Sequence, residues 1–229
     1  MDMRKLLSLL SIIASLTFTY SCSELEALGK EPVTGGENGG ENGGENGGEN
    51  GGENGGDQSE LVLGDYYKKG LAEGIIAYIN EEGNGGILIS IDETMAQWST
   101  DYELLTKMGG EFSLGDGAYN CAYIRYLEDW ENRYPAFAWC HAKNVLGLNS
   151  WFMPAIDEFR LIQPALEAIN ETLTKMGETP IATGVNDSYW TSVEIGVQSA
   201  YAYSFGEGDF ASYDLDKKNY HHVRAIRKF

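Results

Sequence analysis

The stretch Trp151-Phe152-Met153-Pro154-Ala155-Ile156-Asp157-Glu158-Phe159 lies just past the middle of the part of the chain whose composition is that of a folded domain. Two aromatic residues open it, and Pro154 then interrupts strand pairing because proline has no backbone N–H to donate. Asp157 and Glu158 follow at positions where acidic side chains favour the first turn of a helix. The stretch therefore predicts the point at which the strands of the domain give way to its main helix.

The apolar pattern that follows predicts how this helix continues. Its apolar positions are Ile156, Phe159, Ile162, Leu166, Ile169 and Leu173. A spacing of three or four residues marks one buried stripe on a helix. Pro164 removes a helical hydrogen bond inside the pattern, which predicts a kink or two consecutive helices. Met176-Gly177 supplies the helix end.

Runs of β-branched and aromatic residues predict the strands. Residues 74–79 and 86–91 flank the glycine-rich segment 82–86, so they predict a hairpin, and Tyr66-Tyr67 predicts a strand before it. Further strands are predicted at residues 188–194, 201–205 and 220–229. Short helices are predicted at residues 92–95, 102–108 and 123–130.

The first 22 residues resemble a bacterial lipoprotein signal. Arg4 and Lys5 precede an apolar segment that is too short to span a bilayer as a permanent helix. Thr19-Tyr20-Ser21-Cys22 then resembles a lipobox, although Leu is commoner than Thr at its first position. Residues 1–21 are therefore predicted to be a lipoprotein signal peptide, with Cys22 as the lipid attachment site that makes the membrane a partner. The alternative is an ordinary signal peptide cut near the same place.

The residues after Cys22 predict display on the cell surface. Ser23-Glu24-Leu25-Glu26 resembles the acidic signal that sends lipoproteins of Bacteroidetes-type bacteria to the outer leaflet; a solvated charge run is the alternative. Residues 35–54 repeat Gly-Gly-Glu-Asn five times, with no apolar face to bury and much backbone entropy to lose. We therefore predict a disordered tether over residues 22–60 and a single folded domain over residues 61–229, lipid-anchored to the outer membrane.

The charge balance narrows the possible partners. The chain holds 16 Lys and Arg against 35 Asp and Glu, a formal net charge of −19. From residue 61 onward there are still 13 basic and 24 acidic residues, a net charge of −11. Such a surface repels phosphate backbones, which argues against nucleic acid, and it argues similarly against sulfated polysaccharides. Neutral glycans, proteins and calcium remain open.

Two cysteines fall within the predicted domain. Cys121 and Cys140 form an even pair in an oxidising extracytoplasmic setting, which predicts a disulfide. The alternative is two separately buried thiols. Neither a redox nor a metal role has support, because the spacing is not C-x-x-C and there is no second cysteine pair in the domain.

Four acidic residues form the best candidate for a ligand site. Glu207, Asp209, Asp214 and Asp216 lie among glycines, and clustered carboxylates suit calcium. Calcium is the one cofactor that the sequence leaves possible, and an acidic surface loop is the alternative. His141, His221 and His222 are not accompanied by a Gly-x-Ser-x-Gly nucleophile elbow, so we predict no catalytic residues and no enzyme activity.

Four motifs together carry a resemblance to a known family. They are Trp151-Phe152-x-Pro154-x-x-x-Glu158-Phe159, Ile169-Asn170-x-x-Leu173, Tyr189-Trp190-Thr191-Ser192-x-Glu194 and Val223-Arg224-Ala225-Ile226-Arg227-x-Phe229. Over residues 62–229 the chain resembles the C-terminal domain family of the collagen-like bacterial adhesin Lcl, formerly a domain of unknown function. It is also similar to the major paralogous domain of fibrolytic bacteria. The resemblance implies an α+β, C-type-lectin-like fold, with a mixed or antiparallel sheet and two or three helices.

The motif residues are predicted to hold this fold together. The set is Trp151, Pro154, Glu158, Trp190, Glu194, Arg224 and Arg227. We predict that the two carboxylates pair with the two arginines and so pin the helix to the terminal strand; a charged catalytic cluster is the alternative. Ala155 has no side-chain oxygen, so the capping box that Glu158 would complete is half lost.

Two classes of function follow from these observations. The leading hypothesis is a surface-tethered binding module for a glycan or a protein, because members of the resembled family are mostly surface or secreted proteins. The rival is a structural subunit of the envelope or of an appendage, without a small-molecule ligand. A degenerate enzyme of the formylglycine-generating type comes third, since that class shares the Trp-x-x-Pro helix start and the terminal arginine strand.

Overall fold

The computed structural model describes residues 60–105, 111–144, 150–206 and 213–229. Contacts between Cα atoms divide the chain into two units, Met1–Asn54 and Gly55–Phe229, and every described residue belongs to the second. The predicted lipid site Cys22 and the repeat lie outside the described residues and stay predictions. Within the described ranges, the helices are too short or too polar to cross a membrane.

Four strands form the first sheet. In spatial order they are β1 (Tyr66–Lys69), β2 (Ala72–Ile79), β3 (Gly86–Ile89) and β9 (Ile226–Lys228). All neighbours are antiparallel, and Ile75 of β2 lies opposite Ile89 of β3. The predicted hairpin is therefore confirmed. Gly86 allows the backbones of β2 and β3 to approach closely, because a Cβ atom there would lie 1.8 Å from the carbonyl oxygen of Tyr78.

Five strands form the second sheet. In spatial order they are β4 (Thr94–Gln97), β8 (Tyr220–Val223), β5 (Tyr189–Glu194), β6 (Ser199–Tyr203) and β7 (Tyr213–Asp216). Only the contact between β5 and β8 is parallel; the other pairs in this sheet are antiparallel. All six residues of β5 are buried, as its central place in the sheet requires.

The C-terminal strand prediction was wrong in one respect. Residues 220–229 form two strands, β8 and β9, and these belong to different sheets. Arg224 and Ala225 carry the chain across, and Ala225 exchanges hydrogen bonds with Ser90: its N–H donates to Ser90 Oγ at 3.1 Å and its carbonyl accepts from Ser90 N–H at 2.9 Å. The guanidinium of Arg224 is fully buried and needs acceptors on neighbouring loops, which a continuous strand would not reach.

The main helix follows the prediction from Pro164. It consists of α4 (Ile156–Ile162), a 3-10 turn (Gln163–Ala165) and α5 (Leu166–Met176). Gly177 ends α5 with a positive φ of 77°, and its N–H returns to Thr174 O at 3.1 Å. Glycine adopts this left-handed conformation without a Cβ clash, so the predicted stop is confirmed.

More helices occur than the two or three predicted. The described residues also contain α1 (Gly117–Arg125), α2 (Trp130–Arg133) and α3 (Pro135–Ala142), which brings the α-helices to five. Asp129, with φ of 52°, interrupts the helix that the periodicity predicts over residues 123–130, and Pro135 begins the separate helix α3. Both residues break helical geometry locally: a left-handed backbone ends the regular turn, and proline begins a new one.

One short helix prediction was wrong and another is tested only in part. Residues 94–97 form strand β4 because their backbone pairs with β8, with Thr94 opposite Val223. Of the predicted helix over residues 102–108, residues 102–104 are not helical, Leu105 has 3-10 conformation, and residues 106–108 lie outside the described ranges. The domain is nevertheless mixed α+β, as predicted, with helix α4 packed on both β2 and β6. The core includes the fully buried side chains of Trp98 and Trp190.

Candidate functional site

The backbone of Trp151 is clamped from one side by Asn144. The Asn144 side-chain oxygen accepts hydrogen bonds from the backbone N–H of Ser150 at 2.8 Å and of Trp151 at 2.7 Å, and its amide donates to Trp151 O at 3.1 Å. The next residue, Phe152, bridges to Ile226 through two backbone hydrogen bonds of 2.9 Å. Trp151 is thereby held at the margin of the first sheet, with 7% of its surface exposed.

A pocket of about 440 Å³ opens beside Trp151. Its walls come from four parts of the chain: the turn between β1 and β2, the residues after β3, the end of α3, and Trp151 itself. The volume lies within the range of small-molecule sites, roughly 300–1,000 Å³.

Two ion pairs line this pocket. Lys68 Nζ lies 3.1 Å from Glu73 Oε2, and Lys143 Nζ lies 2.5 and 2.6 Å from the two carboxylate oxygens of Asp92. Lys143 Nζ also lies 3.9 Å from the centre of the Trp139 ring, a cation–π contact that restricts the ammonium further. The pocket therefore presents two positive and two negative groups, arranged as two ion pairs.

The apolar part of the pocket consists of Leu71, Ile91 and Trp151. Arg227 supports it from outside the lining: its guanidinium donates to Leu71 O at 3.0 Å and lies 5.7 Å from the centre of the Trp151 ring. Burial lowers the pKa of Arg227 from its ordinary value. The predicted pairing of Arg227 with a carboxylate is thus replaced by a backbone carbonyl and an aromatic ring.

Glu158 pairs differently from the prediction. Its Oε2 accepts the backbone N–H groups of Ala155 at 2.9 Å and Gly117 at 3.0 Å, and its Oε1 lies 3.4 Å from Lys228 Nζ. The terminal strand therefore supplies a lysine and not an arginine. The bond to Ala155 is the half of the capping box that Glu158 can still make.

Arg224 is the centre of a separate polar cluster. It donates to the carbonyl oxygens of Ser90 at 2.8 Å, Ile91 at 3.0 Å and Thr179, and its Nε lies 3.0 Å from Glu93 Oε2. The prediction gave Arg224 a carboxylate partner in Glu158 or Glu194, and the partner is Glu93. Because Glu93 and Arg224 are 131 residues apart in sequence, no local pattern could predict this pair.

Three side chains donate hydrogen bonds to Glu93, which directly precedes strand β4 of the second sheet. Its carboxylate accepts from Tyr189 OH at 2.9 Å as well as from Arg224, and lies 3.2 Å from His222 Nδ1. Burial acts to raise the pKa of Glu93, but the hydrogen bond from His222, the charge of Arg224 and the hydrogen bond from Tyr189 outweigh it, so the pKa is lowered. Glu93 does not line the pocket beside Trp151.

Glu194 is paired with Lys217 instead of an arginine. Lys217 Nζ lies 2.5 Å from Glu194 Oε1, and both side chains are buried. Trp190, on the same strand as Glu194, donates its indole N–H to Ala96 O at 2.9 Å. Pro154 accepts the Ser192 N–H through its carbonyl at 2.7 Å. These residues therefore contact other elements through partners that periodicity did not reveal, and their role in determining the fold stays a prediction.

The predicted disulfide is absent. Cys121 and Cys140 are free, buried thiols, the second of the two alternatives that the sequence left open. Cys121 Sγ bonds to the backbone of Met153, three residues before helix α4: it accepts the Met153 N–H at 3.3 Å and donates to Met153 O at 3.7 Å. Burial raises the pKa of Cys121 to about 12 and that of Cys140 well above its ordinary value.

The predicted acidic loop is not brought together in the described residues. Glu207 and Asp209 lie outside them, while Asp214 and Asp216 belong to strand β7 and not to a loop. Asp216 accepts from Tyr102 OH at 2.7 Å and from Lys218 N–H at 2.9 Å. Within the described ranges, no three His, Cys, Asp or Glu residues are placed to hold a metal ion.

A second hollow, of about 600 Å³, runs along the exposed flank of α5. It is larger than the pocket beside Trp151, but its wall is one helix and Thr183. Asn170, its central amide, is already bonded to both backbone groups of Ile181, at 2.7 and 3.0 Å. We therefore take the pocket beside Trp151, in which four elements and four charged groups converge, as the candidate site.

Sequence reasoning missed most of this site. Lys68, Glu73, Asp92 and Lys143 carried no motif, because ordinary surface charges have the same pattern. The one available signal was Asn144, seven residues before the aromatic pair that opens the deciding stretch. Asn side chains often form hydrogen bonds with nearby backbone groups, as Asn144 does with Ser150 and Trp151.

The fold and the site together define an acidic α+β domain in which helix α4 packs against both sheets and a pocket lined by paired charges lies beside Trp151. No protein-family model matches the chain, and a comparison with characterised proteins finds no match. A fimbrial protein from Bacteroides ovatus ATCC 8483 is a similar solved structure, with 17% identity and a TM-score of 0.49. The match covers 63% of this chain and 36% of that one, so it spans about a third of the other protein's length. Similarity at this level identifies neither a shared fold nor a function.

Proposed function

We propose that the protein is a surface-tethered binding module of the bacterial outer membrane. In this proposal Cys22 carries the lipid, the Gly-Gly-Glu-Asn repeat lifts the domain from the membrane, and the pocket beside Trp151 holds a glycan or a protein group. The C-type-lectin-like fold and the membership of the Lcl C-terminal family, on which the adhesin assignment rests, belong to the same proposal.

The pocket is the observation that carries the proposal. Leu71 is 47% exposed at its mouth, yet the turn that bears it is tied down by Arg227. Trp151 is fixed by Asn144 on the opposite side. A site whose walls are already immobilised loses little entropy when a ligand binds, which favours recognition.

We propose binding without catalysis because of how the charges in the pocket are used. Each charged side chain that lines it is engaged in an ion pair, Lys68 with Glu73 and Lys143 with Asp92. A general acid or base must exchange a proton with a substrate, and an ion pair opposes that exchange by stabilising both charged forms.

A blocked-pocket variant tests the proposal. The full-length protein in detergent micelles would be probed on a glycan array and in pull-downs from cell-surface extracts, with and without calcium. Leu71→Glu places a bulky charge at the pocket mouth and should reduce binding by about tenfold or more. Leu161→Glu is the matched control, because Leu161 is 43% exposed on α4 and does not line the pocket.

Two results would count against this function. One is a failure to detect any ligand by either method, whether calcium is present or removed. The other is a ligand that binds Leu71→Glu as tightly as the parent protein, which would move the site elsewhere.

The edge strands of the two sheets favour the rival function, a structural subunit. Among the described strands, β1, β4 and β7 each pair with one neighbour, so each has an edge to which a strand of another subunit could add, while the fourth edge strand, β9, is bridged to Phe152. Size-exclusion chromatography and crosslinking on cells test this rival. Detection of monomers alone would weaken it, and higher oligomers would support it.

A further inference from the structure

We propose that the pocket beside Trp151 is specific for an uncharged saccharide, whose adjacent hydroxyl groups bridge each Lys–carboxylate pair. This inference rests on the proposed function and names the ligand class of the same site. It is carried by three features of the pocket: its balanced charge, the spacing of its ion pairs, and its apolar lining.

The charges of the pocket cancel. Two lysines face two carboxylates, and each ammonium lies within 3.1 Å of its partner. An anionic ligand would have to compete with Glu73 or Asp92 for a lysine, and a cationic ligand would have to compete with a lysine for a carboxylate. The domain's net charge of −11 adds general repulsion of anions. An uncharged ligand meets none of these penalties.

The spacing within each pair matches a diol. A Lys ammonium has three N–H donors and a carboxylate has about four acceptor positions, so each keeps capacity after forming the ion pair. The N···O separations of 3.1 Å for Lys68–Glu73 and 2.5 Å for Lys143–Asp92 are those of hydrogen-bonded neighbours. Two adjacent hydroxyls can therefore bind as a unit, one accepting from the lysine and the other donating to the carboxylate.

The apolar lining of the pocket suits the ring of a sugar. Leu71, Ile91 and Trp151 line the same pocket as the two ion pairs. A pyranose has C–H groups on its faces and hydroxyls around its rim. Its faces can cover the apolar lining while its rim reaches the charged side chains, which is how small-molecule sites combine apolar lining with a few placed polar groups.

Each ion pair has a further contact that restricts it before a ligand binds. Lys143 makes two contacts to Asp92, of 2.5 and 2.6 Å, and lies over the Trp139 ring. The other pair is fixed by a third group, since Glu73 also accepts a hydrogen bond from Tyr66 OH. Ordering the lysines in this way removes part of the entropy that a long side chain loses on binding.

The test compares matched saccharides on the full-length protein in detergent micelles. Titration calorimetry would use neutral hexose oligomers, the corresponding uronic acid and amino sugar oligomers, and a sulfated oligomer. We expect only the neutral series to bind. Its affinity should change by less than about twofold between about 0.05 and about 0.5 M NaCl, because no net charge is neutralised.

Two lysine variants test the residues. Lys143→Met and Lys68→Met remove the ammonium donors but keep most of the apolar stem, and each should weaken binding of the neutral oligomer by about tenfold, which corresponds to about 1.4 kcal/mol. Lys175→Met is the control, because it breaks a surface pair with Glu171 outside this pocket. Circular dichroism and the Tm of each variant confirm folding, and Asp92 is exposed enough, at 61%, to lose its partner without unfolding the domain.

The outcomes separate this inference from the proposed function. If a charged glycan or a protein binds and Leu71→Glu abolishes it, the pocket is a binding site but its ligand is not an uncharged saccharide. If a neutral oligomer binds and both lysine variants bind it as the parent does, the diol mechanism is overturned. If nothing binds, or if Leu71→Glu has no effect on what does bind, the proposed function fails as well.

Discussion

Lys217 Nζ lies 2.5 Å from Oε1 of Glu194, and the exposed fractions of the two side chains are 1% and 0%. The ammonium also donates to the carbonyl oxygens of Glu103 at 2.9 Å and Val197 at 3.3 Å, and lies 4.8 Å from the centre of the Trp98 ring. Burial lowers the pKa of Lys217, and the hydrogen bond and charge of Glu194 oppose that shift. The pair joins the end of β5 to the turn after β7.

Lys217→Met should lower the free energy of unfolding by about 3–5 kcal/mol, because it leaves a buried carboxylate without its lysine. Lys218→Met is the neighbouring control; Lys218 Nζ lies over the partly exposed Tyr102 ring, and its loss should cost less than about 1 kcal/mol. The double variant Glu194→Leu with Lys217→Met should recover much of the loss. Urea denaturation measures all three, and equal values for the two lysine variants would contradict the prediction.

Glu158→Ala should reduce stability by about 2–3 kcal/mol, since it removes the acceptor of two buried backbone N–H groups, those of Ala155 and Gly117. Glu158→Gln keeps an acceptor oxygen and should lose less than half as much. Guanidinium denaturation of both variants tests this order. A Glu158→Ala protein that is as stable as the parent but no longer binds its ligand would assign Glu158 to the binding site instead.

The pH dependence of Glu158→Gln gives a second test. Burial raises the pKa of Glu158, against the hydrogen bonds from Ala155 and Gly117 and the charge of Lys228. A folded pKa above the unfolded one means that ionisation costs stability as the pH rises from the unfolded pKa through the folded pKa. The stability of Glu158→Gln relative to the parent should therefore increase as the pH rises above about 4, the unfolded pKa of a glutamate. A difference that stays constant over this range would contradict the raised pKa.

Glu93→Gln should have the opposite pH dependence. The pKa of Glu93 is lowered in the folded protein, because the donors His222, Arg224 and Tyr189 outweigh the effect of burial. Its charge therefore stabilises the fold above the unfolded pKa, and this contribution is lost as the pH falls through the folded pKa. We expect a loss of about 2 kcal/mol at pH 7 that shrinks towards about pH 3. Measurement of denaturant midpoints at both pH values checks this, and a pH-independent loss would refute it.

Cys121 and Cys140 should stay unreactive in the folded protein. Attack by a thiol requires the thiolate, and burial raises the pKa of Cys121 to about 12. Labelling with a thiol-specific disulfide reagent should be slow under native conditions and complete in guanidinium, and a reducing agent should leave the Tm unchanged. Isolation of the protein with Cys121 bonded to Cys140 would overturn this and restore the disulfide predicted from the sequence.

Local patterns determined much of the secondary structure. The hairpin of β2 and β3 follows from two apolar runs around a glycine-rich turn, and the division of the main helix follows from Pro164. Gly177 ends α5 where the pattern predicts it. Each of these features depends on backbone geometry and on spacing over a few residues, so the sequence contains the information within one short window.

The sequence by itself thus determined where the main helix begins, divides and ends, together with the acidic character of the domain. Among the described elements, however, the one before the Trp151–Phe159 stretch is helix α3 and not one of the predicted strands. Only the tertiary structure decided which charges meet: Asp92 with Lys143, Glu93 with Arg224, and Glu194 with Lys217. It also decided that residues 220–229 are shared between two sheets. The physical reason is that an ion pair depends on which elements pack side by side, and charged residues far apart in the chain have no period that records this.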